Sequence, residues 1–127
     1  MPHIIVEYSA NLENAMDVGG LLNALHQAMI DTGVADTAAI RTRAIRMDHF
    51  CVADRNPQNG FVQITVRMRE GRPKEAYQKV GENLMAAAEQ SLDKAMAKHP
   101  MQLALEIHEI TQLTFRKNTV RDKDKAA

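Results

Sequence analysis

Residues 61–80, FVQITVRMREGRPKEAYQKV, contain the pattern that decides the fold. From Val62 to Met68 apolar side chains alternate with polar ones, which predicts a β-strand with one buried face. Glu70-Gly71-Arg72 forms a turn, and Pro73 suits the first position of a helix because that position needs no backbone N–H. A strand that leads directly into a helix is typical of the opening of a βαβ unit.

The remainder of the second half completes that unit. The helix is predicted to extend from Pro73 to about Lys98, with Pro100 as the breaker behind it. Its predicted inward-facing side chains are Val80, Leu84, Leu92 and Met96. A further strand follows, in which every second residue is apolar at Leu103, Leu105 and Ile107.

The first half of the chain repeats this order. Residues 2–8 predict a strand whose buried face is formed by Ile4, Val6 and Tyr8. Asp17 is predicted to cap the start of a helix that Gly33 ends, and apolar side chains recur at helical spacing between them. Residues 39–47 are predicted to form the next strand. We therefore expect one domain, residues 1–127, with a pseudo-repeat of residues 2–47 and 61–110, and a polar, frayed tail at residues 119–127.

Two successive βαβ units define the fold class as α+β (α/β). Each unit is expected to be right-handed with parallel strands, and the two are fused into a four-stranded mixed sheet with both helices on one face. The opposite face mixes charged and apolar side chains: His3, Ile5, Glu7, Ile45, Arg67 and Arg69. A face of this character suits either water or another subunit, and the pattern does not decide between them.

Composition excludes several classes of function. Lys+Arg 16 against Asp+Glu 16 gives a net charge of 0, which opposes a generally basic nucleic-acid binder. A single cysteine, Cys51, cannot form an internal disulfide or a multi-cysteine zinc site, and favours a reducing compartment. The histidines show no metal-ligand spacing. Apolar runs are too short for a membrane span, so we expect a soluble, intracellular protein without membrane or nucleic-acid partners.

Pro2 is the first candidate for chemistry. Methionine is commonly removed before proline, which would leave a secondary amine, and α-amino groups titrate near about 7.7–8. Such an amine is a plausible general base, whereas the nitrogen is a non-basic amide while Met1 is attached. The alternative is that the chain begins Met-Pro for no catalytic reason.

Arg41, on the second strand, and Arg72, in the turn after the third, are the next candidates. A guanidinium is a planar fork that binds carboxylates and can polarise an enolising carbonyl. The alternative is that both are surface arginines paired with acidic residues. The same alternative applies to four further arginines that nothing in the spacing promotes, namely Arg43, Arg46, Arg67 and Arg69.

The combination of Met1-Pro2, a strand, a helix and an arginine-bearing strand resembles the tautomerase superfamily. Residues 69–75, REGRPKE, are similar to the EGR turn with which the short 4-oxalocrotonate tautomerases open their helix. The match to the 5-carboxymethyl-2-hydroxymuconate delta-isomerase family covers residues 2–118. It rests on segments in that family's order and spacing: PHIIVE at 2–7, TG at 32–33, AIRTR at 39–43, GR at 71–72 and LEI at 105–107.

This resemblance implies an isomerase, an intramolecular oxidoreductase that transposes a C=C bond. Pro2 would be the catalytic base, Arg41 and Arg72 would bind substrate, and no metal or organic cofactor would be needed. The implied assembly is a cytoplasmic homotrimer, and the implied substrate an unsaturated keto or enol di- or tricarboxylate. Only the first half can offer a free proline, because Phe61 begins the equivalent strand in mid-chain.

The specific reaction implied is conversion of 5-carboxymethyl-2-hydroxymuconate to its 2-oxo isomer by a 1,3-allylic keto–enol proton transfer. The resemblance implies that this reaction is a step in the degradation of homoprotocatechuate (4-hydroxyphenylacetate). Two alternatives stay open at this point: a promiscuous phenylpyruvate-type tautomerase, and a non-catalytic trimeric binding protein of the same fold.

Overall fold

The strands and helices follow the predicted order in the computed structural model, which describes residues 2–121. Short 3₁₀ turns at Ala10–Leu12 and Thr37–Ala39 lie between them. The regular elements are β1 (His3–Ser9), α1 (Val18–Thr32), β2 (Arg41–Met47), β3 (Gly60–Arg69), α2 (Lys74–Ser91), α3 (Asp93–Lys98) and β4 (Met101–Ile110). None of the helices in this part of the chain is long and apolar enough to cross a membrane.

The strands form one four-stranded sheet in the order β2-β1-β3-β4. β1 pairs in parallel with β2 and β3 in parallel with β4, whereas the central pair β1 and β3 is antiparallel. This confirms the predicted mixed sheet built from two βαβ units. Because of the antiparallel centre, β1 and β2 begin at the same end of the sheet at which β3 and β4 finish. We call this the Pro2 end.

The core lies between the helices and one face of the sheet. The predicted buried side chains of β1, namely Ile4, Val6 and Tyr8, are inaccessible or nearly so. The matching positions of β3 and the inner faces of both long helices close over them: Val62, Ile64, Val66, Met68, Leu21, Leu25, Met29, Val80 and Leu84. Burial of this apolar surface provides the main driving force for the fold.

Both predicted boundaries of α1 are confirmed. The Asp17 carboxylate accepts a hydrogen bond from the backbone N–H of Gly20 at 3.0 Å, which satisfies one of the unpaired donors at the helix start. Gly33 ends the helix with a φ of 67°, in the left-handed region. A side chain there would meet nothing within 4 Å, so the conformation rather than space favours glycine.

Two other boundaries differ from the prediction. The second strand begins at Arg41 instead of residue 39, because residues 37–39 form a 3₁₀ turn in which Ile40 donates to the carbonyl of Thr37 at 3.1 Å. Pro73 is the residue before the first turn of α2, with an extended ψ of 148°. The prediction that it occupies the first helical position is therefore wrong by one residue.

The predicted single helix to Lys98 is also wrong, because it is interrupted at Leu92. The backbone there has φ −98° and ψ 6°, outside the helical region, and α3 begins at the next residue. Leu92 and Ala95 are the buried residues beyond the break, whereas Met96 is 41% exposed. Hence Met96 is not the inward-facing residue that helical periodicity predicts.

The segments outside the core lie at opposite ends of the sheet. The β2–β3 connection lies away from the Pro2 end and is held by the side chain of Asn59, which donates to the carbonyl of Val52 at 3.2 Å. After β4 the chain returns along the Pro2 end, where Asn118 donates to the carbonyl of Ala38 at 2.9 Å. Of the predicted frayed tail, residues 119–121 are exposed and irregular, and residues 122–127 lie outside the described residues.

Candidate active site

The three candidate residues of the sequence lie at the same end of the sheet, the Pro2 end. Pro2 immediately precedes β1, Arg41 is the first residue of β2, and Arg72 follows the last residue of β3 by three positions. The antiparallel centre of the sheet is what brings the exit of β3 to the start of β1. Residues up to 70 positions apart therefore share one end of the molecule.

Pro2 is bound to the second strand through its backbone. The Pro2 residue is buried, and its carbonyl oxygen accepts a hydrogen bond from the N–H of Arg41 at 3.2 Å. This contact extends the β1–β2 pairing, whose first register pair is His3 with Arg41. The start of the chain is thereby held beside the start of β2.

The side chain of Arg41 lies on the sheet face opposite the helices, which we call the open face. Alternation along a strand puts Arg43 on the same face, as the sequence predicts. The register sets His3 of β1 directly between Arg41 of β2 and Arg67 of β3. Arg41, Arg43 and Arg67 are all exposed in the single chain.

His3 is a neutral acceptor within this group of arginines. Its Nδ1 lies 3.2 Å from Nη1 of Arg43, and since a guanidinium has only donors, Nδ1 accepts and the hydrogen is on Nε2. Burial, followed by the positive charges of Arg41, Arg43 and Arg67, lowers the pKa of His3 from 6.5 to about 4. Sequence analysis assigns His3 no role, because its neighbours become visible only once the strand register is known.

Arg72 is anchored on the helix side of the same end. Gly71 turns the chain out of β3 with a φ of 93°, a conformation that favours glycine. Nη1 of Arg72 then donates to the carbonyl oxygen of Val34, in the connection after α1, at 2.6 Å. Its Nε is buried and has no hydrogen-bond partner among the described residues. The guanidinium is therefore fixed on one side and keeps an unused donor.

Tyr77, which the sequence analysis missed, closes the turn that carries Arg72. Its hydroxyl accepts from the backbone N–H of Arg72 at 3.3 Å and lies 2.9 Å from the carbonyl oxygen of Arg69. The same hydroxyl lies 3.0 Å from Oε2 of Glu109. Burial first, and the hydrogen bond and charge of Glu109 in addition, raise the pKa of Tyr77. A tyrosine in the first turns of the helix after the EGR turn is the signal that could have found it.

The candidate arginines are not paired with acidic side chains within residues 2–121. The ion pairs found there join Arg46 to Glu13 and Asp48, and His108 to Glu106. Arg41 and Arg72 take part in none of these three ion pairs. The alternative of ordinary surface ion pairs therefore does not describe them. Within the same residues, no group of three or more His, Cys, Asp or Glu could hold a metal ion.

The chain as a whole is similar to known proteins. Residues 2–123 match the model of the 5-carboxymethyl-2-hydroxymuconate isomerase family. A 5-carboxymethyl-2-hydroxymuconate Delta-isomerase of Escherichia coli is 31% identical over 121 residues, which cover 94% of this chain and 96% of that one.

Solved structures agree with this similarity. A 5-carboxymethyl-2-hydroxymuconate isomerase from Deinococcus radiodurans R1 superposes with a TM-score of 0.87 at 27% identity, over 93% of this chain and 90% of that one. A fused 4-OT solved as a symmetric trimer has a TM-score of 0.61 at 15% identity, over 94% of both chains, which shows a shared fold alone.

Proposed function

This chain belongs to the 5-carboxymethyl-2-hydroxymuconate isomerase family, and on that premise we propose that it converts 5-carboxymethyl-2-hydroxymuconate to its 2-oxo isomer with Pro2 as the general base. The reaction relocates one proton and the double bonds within one molecule, so it needs no co-reactant. Membership of the family establishes that the chain is an isomerase. We propose in addition its substrate, its catalytic base and the roles of its arginines.

The observation that carries the proposal is the convergence at the Pro2 end of the sheet. The carbonyl of Pro2 lies 3.2 Å from the N–H of Arg41, and Arg72 follows the strand that ends beside them. Arg72 also keeps a buried Nε–H without an acceptor. A buried donor without an acceptor costs about 1–3 kcal/mol, and an anionic ligand would satisfy it.

Proton transfer by Pro2 follows from removal of Met1. The neutral secondary amine takes a proton either from the 2-hydroxyl group, whose O–H electrons then form the 2-oxo group, or from the allylic carbon C3 of the keto form, for which the transfer to C5 is 1,3-allylic. The double bonds shift, and the prolinium returns the proton to C5. One base thus acts first as acceptor and then as donor, which leaves the enzyme unchanged after each turnover.

The same end of the sheet favours a neutral amine. Burial disfavours the cationic form of any base, and the guanidinium groups repel it. His3, the next residue in the chain, experiences both effects, and its pKa is lowered to about 4. We expect the pKa of the Pro2 amine to lie below the usual range of about 7.7–8 for the same reasons.

Arg41 and Arg72 would hold carboxylates and stabilise the negative charge of the dienolate. Fixed donors aimed at developing charge are the largest single contribution to many such reactions. The bond from Arg72 to the carbonyl of Val34 fits this role, because it limits the motion of the guanidinium before substrate binds.

We further propose that the chain works as a cytoplasmic homotrimer in the degradation of homoprotocatechuate. Fused 4-OT structures of the same fold are trimers, and the open face of this chain carries Ile45 with 45% of its surface exposed. A closed trimer would cover the part of this face around Ile45, which lies further along the strands than Arg41, Arg43 and Arg67. Sedimentation at micromolar concentration is expected to find a species near three times the chain mass, and a monomer would contradict this assembly.

The test of the base compares two forms of the protein. Intact mass is expected to show that Met1 is absent from the active protein. A form with one extra residue before Pro2, which keeps that nitrogen an amide, is expected to have almost no isomerase activity. Full activity with the nitrogen blocked would exclude the proline mechanism.

A substrate panel separates the proposal from its alternatives. Comparing kcat/KM for tri-, di- and monocarboxylate enols is expected to favour the tricarboxylate. Preference for phenylpyruvate would indicate the promiscuous tautomerase. A folded trimer that is inactive on every substrate would indicate the binding protein.

A further inference from the structure

The open face of the sheet has its positive charge concentrated at the Pro2 end. His3, Arg41, Arg43 and Arg67 occupy neighbouring positions on three adjacent strands. The acidic side chains of this face lie further along the strands, with Glu7 opposite Ile45 and Gln63, and Glu106 opposite Thr65. A concentration of one sign of charge attracts a ligand of the opposite sign.

Arg43 and Arg67 have no compensating negative charge within residues 2–121, since the ion pairs there involve Arg46 and His108 instead. The partner of Arg43 is the uncharged ring of His3, at 3.2 Å. Arg41 and Arg43 lie two residues apart on β2, and Arg67 lies across β1 from them, so the positive charges of the three side chains repel one another. The free protein therefore bears a cost that a bound anion would relieve.

We propose that Arg43 and Arg67, with His3 between them, bind the substrate carboxylate that Arg41 and Arg72 do not hold. This proposal rests on the function proposed above. 5-Carboxymethyl-2-hydroxymuconate has three carboxylates, two from the muconate chain and one from the carboxymethyl group. Two arginines at the reacting end leave one of the three without a cationic partner.

The spacing of the cluster suits a substrate of this length. Neighbouring strands lie about 4.8 Å apart, so the backbones of Arg41 and Arg67, on either side of β1, are about 10 Å apart. Arginine side chains can reach inward from both sides. A small tricarboxylate can therefore contact Arg41 and the Arg43–Arg67 pair at the same time.

His3 acts in this subsite as a positioning residue. By accepting from Nη1 of Arg43 it fixes one donor of that guanidinium and leaves the other N–H groups for a carboxylate. As a neutral group it also adds no further positive charge. His3 need not contact the substrate itself.

The experiment uses Arg43→Gln and Arg67→Gln in the full chain with two substrates. One is the tricarboxylate; the other is 2-hydroxymuconate, which has the same dienol but lacks the carboxymethyl group. Each variant is expected to lose about 10- to 100-fold in kcat/KM for the tricarboxylate, the range for removing one hydrogen bond to a charged group. The loss is expected in KM, with less than about threefold change for the dicarboxylate.

Arg46→Gln is the matched control. It lies on the same strand as Arg43 but on the helix face, where it contacts Glu13 and Asp48. It is expected to leave kcat/KM for both substrates unchanged. Arg43→Lys, which keeps the charge and loses the planar fork, is expected to fall between wild type and Arg43→Gln.

The outcomes separate this subsite from the proposed function. Equal losses on both substrates, or no loss on either, would overturn the subsite while the Pro2 mechanism stands. Losses on both substrates with a changed sedimentation coefficient would assign the arginines to assembly, which also overturns it. Full activity with Pro2 blocked would instead overturn the proposed function.

Discussion

The two βαβ units have the same order of elements but differ where their first strands begin. β1 begins beside Pro2, one residue from the start of the chain, and β3 begins at Gly60 in mid-chain. The Gly60 nitrogen is an amide whose N–H donates to the carbonyl of Pro100 at 2.9 Å. A Cβ at Gly60 would come within 2.8 Å of the side chain of Leu12, so Leu12 already occupies the space that a side chain would need. The nitrogen at the start of β3 is therefore a hydrogen-bonded amide and cannot act as a base, so the proposed base can come only from the first unit.

The units also differ at the start of their helices. α1 follows Asp17, whose carboxylate is bound to the N–H of Gly20, whereas α2 follows Pro73, which provides no side-chain cap. In the second unit the turn that carries Arg72 precedes the helix, and the Tyr77 hydroxyl accepts a hydrogen bond from the N–H of Arg72 in that turn. The first unit would provide the base and Arg41, and the second would provide Arg72.

The largest expected effect tests this division of roles. Arg41→Ala, from the first unit, and Arg72→Ala, from the second, are each expected to lower kcat/KM by about 10²–10³, the scale for losing one fixed oxyanion donor. Steady-state kinetics on the tricarboxylate measure both. Smaller losses, of about 10- to 100-fold, are expected for Arg43→Ala and Arg67→Ala, because each would remove a hydrogen bond to a carboxylate and not an oxyanion donor. Equal losses at all four positions would indicate a general effect of charge instead of two placed residues.

The next prediction concerns the pH dependence of the rate, since only the first unit would supply the proposed Pro2 amine. Activity is expected to rise with pH through the pKa of Pro2 and then to level off. The acid limb of kcat/KM should lie below about 7.7, and below the limb of kcat, because a bound polyanion offsets the arginine charges. His3 cannot produce this limb, since its pKa of about 4 is too low.

Pro2→Ala is the control for this pH profile, because it replaces the secondary amine with a primary one. A changed acid limb in that variant supports Pro2 as the base. An identical limb would mean that another group, or the substrate itself, titrates.

A smaller effect is expected from the helix cap that distinguishes the units. Asp17→Ala removes the acceptor of the Gly20 N–H and is expected to lower the free energy of unfolding by about 0.5–2 kcal/mol. Asp17→Asn, which can still cap, is expected to lose much less. Urea unfolding measures both variants, and equal losses would show that the charge of Asp17 matters more than its hydrogen bond.

The smallest expected effect is on stability at mildly acidic pH. His3 has its pKa lowered from 6.5 to about 4 on folding, so below pH 6.5 the unfolded chain binds the proton more readily. The stability that neutral His3 contributes to the folded state is present above pH 6.5 and is lost as the pH falls towards 4. Thermal unfolding of His3→Asn between these values is expected to show a flatter pH dependence than wild type. The same slope in both proteins would contradict the assigned environment of His3.

Sequence analysis predicted strands and helix ends correctly where residues close together in the chain determine the local structure. Alternation from Val62 to Met68 and the capping residues Asp17 and Gly33 depend on local geometry, and all are confirmed. The interruption at Leu92 escaped prediction because nothing local breaks the helix. After the interruption Ala95 is buried and Met96 is exposed, which reverses the inward-facing position that unbroken periodicity predicts for Met96.

For the candidate site, the sequence by itself determined the residue types. Met1-Pro2 and the two arginine segments follow from the order of amino acids, as does the family to which the chain belongs. Only the tertiary structure decided which distant residues the arginine side chains contact. The bond from Arg72 to Val34 spans 38 positions and the bond from Arg43 to His3 spans 40. Contacts over such separations depend on strand order and register, which no local pattern encodes, because they arise when the whole core packs at once.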